Sequence, residues 1–231
     1  MIKSKKILVF AAHPDDELLG CGGTLLYFKK KGYKIKIIFL SDGETSRKIN
    51  NKTKNFLINK RHDQARLVSK KCKFLDPIFK DFPDNKLDTV PFLKIIQSIE
   101  KEIKSFKPNI IFTHYENDLN IDHRIVFKGV VTATRPKSKT FVNKIYCFEI
   151  PSSTDFNFTR NKNKVFNPNY FVDIDKFIGK KIDCLKIYKS EMRKWPHPRS
   201  LKGVKNLAQY RGSQVGLKHA ESFINLREID Y

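Results

Sequence analysis

Short apolar runs alternate with longer amphipathic segments along the first 135 residues, and this alternation restricts the fold more than any other feature. The runs KKILVFAA, KIKIIFLS and NIIFTH are rich in β-branched residues. Such short, continuous runs are typical of strands that are buried on both faces of a parallel sheet. The segments between them carry apolar residues at helical spacing. The pattern therefore predicts an α/β fold with a mostly parallel sheet and helices on both faces.

The second half of the chain is less regular. KIYCFEIP and FVDI predict two further strands, and residues 175–195 predict one helix. The polar residues 151–170 predict a loop over the active site, and residues 195–231 form a C-terminal segment. Because no repeat or linker divides the chain, we expect residues 1–231 to form a single Rossmann-like domain.

The chain carries a formal net charge of +22, from 46 basic and 24 acidic residues. Such a charge can attract nucleic acids, membrane surfaces or phosphorylated substrates. Only 10 of the basic residues are arginine, and the 19 phenylalanines fall mainly within the apolar runs. We therefore interpret most of the charge as a solvated surface and expect no nucleic-acid partner. A basic nucleic-acid-binding protein is the alternative from a different functional class.

No apolar run approaches the roughly 20 residues that a helix needs to cross a bilayer, so we expect no membrane span. The N-terminal stretch MIKSKKILVFAAHPDD has no small-residue cleavage pattern. These features predict a cytoplasmic protein. The sequence leaves the oligomeric state open, and a homo-oligomer is compatible with it.

The stretch HPDDE, directly after the first predicted strand, places an imidazole and three carboxylates within five positions. Pro14 restricts its own φ and keeps His13 extended, so the chain turns at the edge of the sheet. The adjacent carboxylates of Asp15 and Asp16 repel each other unless a cation compensates them. His13 and Asp16 are therefore candidate metal ligands, with Asp15 as a neighbouring base. The alternative is an aspartate helix cap beside a hydrogen-bonded histidine.

A second polar cluster, THYENDLNIDHRIV, follows the apolar run NIIF and includes His114, Asp118, Asn120, Asp122 and His123. The carboxyl ends of parallel strands border one crevice, so this cluster is expected to meet HPDDE. His13, Asp16 and His123 would then supply three protein ligands and leave a fourth position open, as in catalytic zinc sites. Asp122 is expected to hold an imidazole or a nearby backbone group.

HPDDE, the following GCGGT, SDGE after the second predicted strand and NIDH together resemble the PIG-L or LmbE-like family of zinc-dependent N-deacetylases. These enzymes remove acetyl groups from N-acetylglucosamine-type amino sugars, and the resemblance covers most of the chain in the order of its elements. The resemblance implies that His13, Asp16 and His123 bind zinc and that Asp15 is the general base. The elements DLNIDHR, PHPRS and RG also resemble a branch of the family that is linked to surface-polysaccharide and nucleotide-sugar metabolism.

The chain departs from the family pattern at Asn120, where many members have a histidine that helps to protonate or stabilise the reacting centre. An asparagine can donate a hydrogen bond to an oxyanion but cannot deliver a proton. Either Asp15 serves first as base and then as acid, or another histidine enters the site. His114 and His197 are the candidates for that histidine. The substitution is also compatible with a degraded family member, although the other motif residues are intact.

Arg61, Arg199 and Arg211 are candidate substrate-binding residues, because guanidinium groups bind phosphates and other oxygens in a bidentate manner. The expected substrate is an N-acetylated amino sugar, free or linked to a nucleotide or lipid diphosphate. In the expected reaction, zinc activates a water molecule and Asp15 accepts its proton. A metal amidase that acts on a different N-acyl group is the closest alternative.

Overall fold

The computed structural model describes residues 5–46, 50–136, 142–159 and 161–230, and its core is one sheet of seven strands. The strands are β1 (Lys6–Ala11), β2 (Lys34–Ser41), β3 (Ile78–Phe82), β4 (Ile110–His114), β5 (Lys144–Phe148), β6 (Tyr170–Asp173) and β7 (Ala220–Glu228). Their order in the sheet is β3-β2-β1-β4-β5-β7-β6. The first five strands in this order are parallel neighbours, whereas β7 runs antiparallel to both β5 and β6.

Helices cover both faces of this sheet, which confirms the predicted α/β architecture. The helices are α1 (Asp16–Lys30), α2 (Asn51–Cys72), α3 (Phe92–Phe106), α4 (Ile121–Ala133), α5 (Ile178–Leu185) and α6 (Leu201–Ser213). Alternate residues of β1 pack on opposite faces: Ile7 and Val9 join the core under α1, α2, α5 and α6, and Leu8 and Phe10 join the core under α3 and α4. No helix within the described ranges is long and apolar enough to cross a membrane.

The order of the strands creates a crevice between β1 and β4. From β1 the chain moves outward to β2 and β3 and then returns to the opposite side of β1 as β4. Ligands of open α/β sheets bind where the order reverses in this way, at the carboxyl ends of the strands. HPDDE follows β1 and the second polar cluster follows β4, so the fold brings the two clusters to this crevice.

The structure differs from the sequence-based prediction at three elements. The apolar pattern did not predict β3 or β7, because Lys80 and Asp81 interrupt the short edge strand β3, and polar residues alternate along the partly exposed β7. The prediction of a single helix over residues 175–195 is wrong, because α5 ends at Leu185 and a 3-10 turn follows at Lys186–Tyr188. The chain turns there because the Tyr188 side chain packs into the protein interior. It is fully buried, and its hydroxyl donates a hydrogen bond to a glutamate of α1 (2.8 Å).

Candidate metal centre and active site

The turn that follows β1 positions the acidic side chains of HPDDE. Asp15 adopts φ 136° and ψ −27°, a conformation that residues with a Cβ rarely adopt and that is found where function requires strain. Its carbonyl oxygen accepts hydrogen bonds from the N–H groups of Leu18 and Leu19. Its own N–H donates to the Glu17 carboxylate (3.0 Å). Helix α1 therefore begins at once and holds Asp15 in the strained turn.

Three side chains converge at the crevice. His13 Nδ1 lies 3.3 Å from Asp16 Oδ2, and His123 Nε2 lies 3.4 Å from the same oxygen. The candidate ligand atoms of His13, Asp16 and His123 all lie within 4.8 Å of one another. Asp16 and His123 are fully buried, yet Asp16 Oδ1 and His123 Nε2 have no hydrogen-bond partner among the described residues. Because buried polar atoms are nearly always partnered, this donor set fits a bound divalent cation.

Two carboxylates fix the ring of His13. Its Nε2 lies 3.0 Å from Asp84 Oδ1 and 3.2 Å from Asp122 Oδ2, so this nitrogen carries a proton and donates it. Asp122 also accepts two backbone N–H groups, at 2.8 and 3.0 Å. Nδ1, which lies on the side of Asp16, is then the nitrogen that remains for a metal ion. A carboxylate that holds the second nitrogen is the usual support of a metal-binding histidine, and Asp122 therefore has the expected supporting position.

His123 has a similar support on its opposite side. Its Nδ1 lies 3.0 Å from Asp118 Oδ1, and Asp118 accepts hydrogen bonds from the hydroxyl groups of Ser153 and Thr154. Burial lowers the pKa of His123, but the carboxylates of Asp16 and Asp118 outweigh burial and raise this pKa to about 9. A cation that binds here must displace the proton, so metal binding and protonation compete at this imidazole.

His114 lies behind the three candidate ligands. Its ring stacks on His123, with centroids 3.9 Å apart and planes inclined by 16°, and its Nε2 accepts the N–H of Ala12 (2.8 Å). The side chain is fully buried, and burial lowers its pKa well below the usual value. A neutral imidazole without access to solvent cannot exchange protons with a substrate. The structure therefore does not support the predicted proton-donor role of His114, which instead orients His123 and joins β4 to β1.

Asp15 lies at the mouth of the centre, beside a cation from the C-terminal segment. Its Oδ2 is 3.3 Å from Arg199 Nη1, and the same guanidinium nitrogen is 3.9 Å from Glu191. Burial raises the pKa of Asp15 to about 7, although the charge of Arg199 opposes this rise. A carboxyl group that titrates near neutral pH can both accept and release a proton, as a general base that later acts as an acid must do.

Arg61 on α2 borders the same pocket, whose volume is about 130 Å³. Its Nε and Nη2 both donate to Glu44, at 3.0 and 2.6 Å, and Nη2 also donates to Glu191 (2.5 Å). Arg61 and Arg199 are therefore both paired with carboxylates of the protein. This pairing weakens the prediction that either of them binds a phosphate, because their charges are already compensated.

Asn120 lines this pocket, but it is also the N-cap of helix α4. Its Oδ1 accepts the backbone N–H groups of Asp122 (2.8 Å) and His123 (3.4 Å), and its Nδ2 donates to Asn85 Oδ1 (2.8 Å). An N-cap side chain satisfies N–H groups that have no partner within the helix. Asn120 therefore holds the start of the helix that carries His123, and its amide already has a partner.

The C-terminal candidates occupy different places. The ring nitrogen Nδ1 of His197 accepts the N–H of Arg199 (3.0 Å), and the His197 ring lies edge-on to Phe156, with centroids 6.0 Å apart. His197 thus lies two positions before Arg199, the partner of Asp15, and contacts its backbone. Arg211 donates from Nε and Nη2 to Glu149, at 2.8 and 2.7 Å, and lines a separate cavity. Only Arg199 of this group contacts the candidate base.

Sequence reasoning missed Asp84 and Glu191. Asp84 follows β3 and holds His13, and Glu191 links the two arginines of the pocket. The signal for Asp84 is an acidic residue at the end of a strand, which can be found only if IFKDF is identified as a strand. Glu191 carries no local signal, because it lies outside any predicted strand end and reaches the pocket through the tertiary fold.

The model of the PIG-L family, described as GlcNAc-PI de-N-acetylase, matches residues 8–134. The uncharacterised deacetylase YaiS of Escherichia coli K12 is 28% identical over 156 residues, which are 65% of this chain and 77% of that protein.

Solved structures show the same fold at lower identity. The N,N'-diacetylchitobiose deacetylase of Pyrococcus horikoshii has a TM-score of 0.75 and 18% identity, and the match covers 96% of this chain and 84% of that chain. GalB, the 4-carboxy-2-hydroxymuconate hydratase of Pseudomonas putida KT2440, has a TM-score of 0.77 and 18% identity, with 98% of both chains covered. The fold thus carries both a deacetylase and a hydratase, and it does not by itself decide the reaction.

The family match covers more than half of the chain and extends from β1 to the end of α4. The matched region includes Asp15, the three candidate metal ligands and both carboxylates that hold His13. The protein therefore belongs to the PIG-L family.

Proposed function

We propose that the protein is a zinc-dependent hydrolase that removes the acetyl group from the nitrogen of an amino sugar. The observation that carries this proposal is the set of His13, Asp16 and His123, whose ligand atoms lie within 4.8 Å of one another beside the carboxyl group of Asp15. Two of these ligand atoms are buried and have no hydrogen-bond partner among the described residues. The description of the matching family and the names of YaiS and the chitobiose enzyme support deacetylation over hydration.

His13, Asp16 and His123 would hold the metal ion, and a set of two imidazoles and one carboxylate with an open position is typical of catalytic zinc. When bound, the ion supplies Lewis acidity, which lowers the pKa of a water molecule and polarises the amide carbonyl. The contacts of Asp84 and Asp118 keep both imidazole rings in orientation for this task.

Asp15 accepts the proton of the attacking water and delivers it to the nitrogen as the C–N bond breaks, which gives acetate and a free amine. Its pKa of about 7 suits both steps. The Arg199 guanidinium orients the carboxylate and favours its ionised form before the attack. Because one carboxyl group performs both proton transfers, the reaction does not require a histidine at position 120.

The reacting end of the substrate is a neutral amino sugar. The two arginines of the pocket are compensated by Glu44, Glu191 and Asp15, so the described lining residues offer no uncompensated cation for a phosphate. A nucleotide or lipid diphosphate carrier, if the substrate has one, would lie outside this pocket. Synthesis of surface polysaccharides or related glycoconjugates is the proposed setting.

The test is acetate release by the zinc-loaded protein. Free N-acetylglucosamine, its uridine diphosphate derivative and a lipid-linked form are each incubated with the wild type and with His123→Ala. We expect acetate and free amine in equal amounts from at least one amino sugar with the wild type, and none with the variant. Hydrolysis of only N-formyl or longer N-acyl analogues would indicate a different amidase. Hydration of an unsaturated dicarboxylic acid, without any amide hydrolysis, would contradict the proposal.

A further inference from the structure

A second cavity, of about 510 Å³, lies next to the proposed active site. Its volume is in the range of small-molecule sites, whereas the pocket at Asp15 is only about 130 Å³. Thr154 lines the cavity, and its hydroxyl donates to Asp118 (2.7 Å), the carboxylate beside His123. Two contacts, from Thr154 to Asp118 and from Asp118 to His123, therefore connect the wall of the cavity to a candidate metal ligand.

A strip of side chains connects the two cavities along the surface. The Nε of Arg199, the partner of Asp15, donates to the Pro151 carbonyl (3.4 Å) at the start of the loop that forms the cavity wall. Next to Arg199, the His197 ring packs against Phe156, and Phe156 stacks on Phe158, with centroids 6.4 Å apart. Phe158 is 91% exposed and lines the cavity entrance. These contacts place aromatic side chains between Arg199 at the first pocket and the second cavity.

The chemistry of the cavity favours a polyhydroxylated, neutral ligand. Phe158 and Phe166 offer aromatic surface, against which the C–H face of a sugar ring packs. Glu149, Asp155, Asn157 and Arg211 offer planar hydrogen-bonding groups, as sugar hydroxyls require.

The charges of the described lining residues are balanced. The lining includes two carboxylates, of Glu149 and Asp155, and two cations, of Lys164 and Arg211. Arg211 forms a bidentate ion pair with Glu149. A site for a phosphate or a nucleotide would instead present uncompensated cations. The balance therefore favours a saccharide over an anionic carrier.

We propose that this cavity is a second subsite, which binds a neutral saccharide unit linked to the N-acetylated sugar at the metal centre. The inference rests on the proposed function for the occupant of the first pocket. It narrows the substrate class to a disaccharide or a larger glycoconjugate, and it assigns Phe158 and Arg211 to specificity.

Binding is tested without turnover in the zinc-loaded Asp15→Asn protein by titration calorimetry. The probes are N-acetylglucosamine, a panel of neutral disaccharides that contain it, and its uridine diphosphate derivative. We expect the best disaccharide to bind at least about tenfold more tightly than the monosaccharide and more tightly than the nucleotide sugar. Phe158→Ala is expected to reduce that advantage about threefold to tenfold, the usual size of an aromatic contact. Phe56→Ala, an equally conservative change at a ring that is 66% exposed on α2, is the matched control and leaves the ratio unchanged.

Equal affinity for the monosaccharide and every disaccharide would overturn the inference, as would a disaccharide advantage that Phe158→Ala does not reduce. Tightest binding of the nucleotide sugar would overturn the neutral character of the subsite. Acetate release by the wild type is measured separately. Tight disaccharide binding without acetate release would refute the proposed function but support the second subsite. Acetate release without a disaccharide advantage would support the proposed function but refute the second subsite.

Discussion

Two groups of buried charged side chains border helix α1, and they differ in how completely their atoms are partnered. In the first group, the Glu221 carboxylate accepts the N–H groups of Gly23 (2.8 Å) and Thr24 (2.6 Å). It also accepts the ammonium group of Lys181 (2.7 Å), which donates in addition to the Leu19 carbonyl (2.9 Å). The charged atoms of this group are thus satisfied by the protein itself, close to Cys21, where the backbone of α1 departs from helical geometry.

The second group is the candidate metal centre, where Asp16 Oδ1 and His123 Nε2 have no hydrogen-bond partner among the described residues. Lys181 and Glu221 in the first group are buried, as are Asp16 and His123 in the second, so burial of charge alone does not identify a functional site. The difference lies in the missing partners, because an unpartnered buried polar atom is costly unless a ligand satisfies it. The contrast predicts that substitutions in the first group reduce stability and substitutions in the second reduce metal binding and catalysis.

The largest effect is expected for Asp15→Asn. Loss of the group that transfers the proton should lower kcat for acetate release by a factor of about 10²–10⁴, while the metal content stays at the wild-type level. Asp63→Asn, at an exposed aspartate of α2, is the matched control. An Asp15→Asn protein that keeps most of its rate with metal bound would exclude Asp15 as the base.

Glu221→Ala should have the next largest effect, and this effect should fall on stability. Removal of the carboxylate leaves Lys181 buried without its partner, which should lower the free energy of unfolding by about 3–5 kcal/mol in denaturant titration. Glu228→Ala in the same strand breaks the exposed pair with Lys144 and an exposed hydrogen bond from Asn225, and should cost about 0–1 kcal/mol. Loss of metal from a folded Glu221→Ala protein would contradict the separation of the two groups.

Asp122→Asn tests the support of the metal centre. Its carboxylate holds the His13 ring, and loss of such a partner should lower metal affinity about tenfold to 100-fold in competition with a chelator. Asp88→Asn, at a residue outside the candidate site, should leave the affinity unchanged. Wild-type affinity in Asp122→Asn would show that the ring of His13 does not depend on this carboxylate.

Asn120→Ala should have the smallest effect. Loss of an N-cap costs about 0.5–2 kcal/mol of stability in thermal or denaturant unfolding, and Asn120→Asp should restore most of it because aspartate also caps helices. An oxyanion donor would behave differently: its loss would lower kcat by a factor of about 10²–10³, and aspartate would not rescue it. The two variants therefore separate capping from catalysis at this position.

The sequence pattern was sufficient for the layered α/β architecture and for the meeting of HPDDE with the second polar cluster. Both predictions depend on local periodicity and on the rule that ligands bind at the carboxyl ends of parallel strands. The prediction of one helix over residues 175–195 was wrong, because the tertiary contact of Tyr188 outweighs the helical spacing of the apolar residues.

The partners of the candidate residues were less predictable. Residue type indicated that Arg199 and Arg61 could bind anions, but their pairing with Asp15, Glu44 and Glu191 depends on contacts between distant parts of the chain. Likewise, the burial of His114 follows from its position at the end of the fully buried strand β4, where its ring contacts the β1 backbone and the rings of His123 and Phe148.

The most direct test of the metal centre is the metal content of the purified protein, measured by elemental analysis after removal of all metal and addition of zinc. We expect about one tightly bound ion per chain in the wild type and almost none in His123→Ala, with the variant still folded by circular dichroism. No bound ion in the wild type, or equal binding in the two proteins, would contradict the assignment of His13, Asp16 and His123 as a metal site.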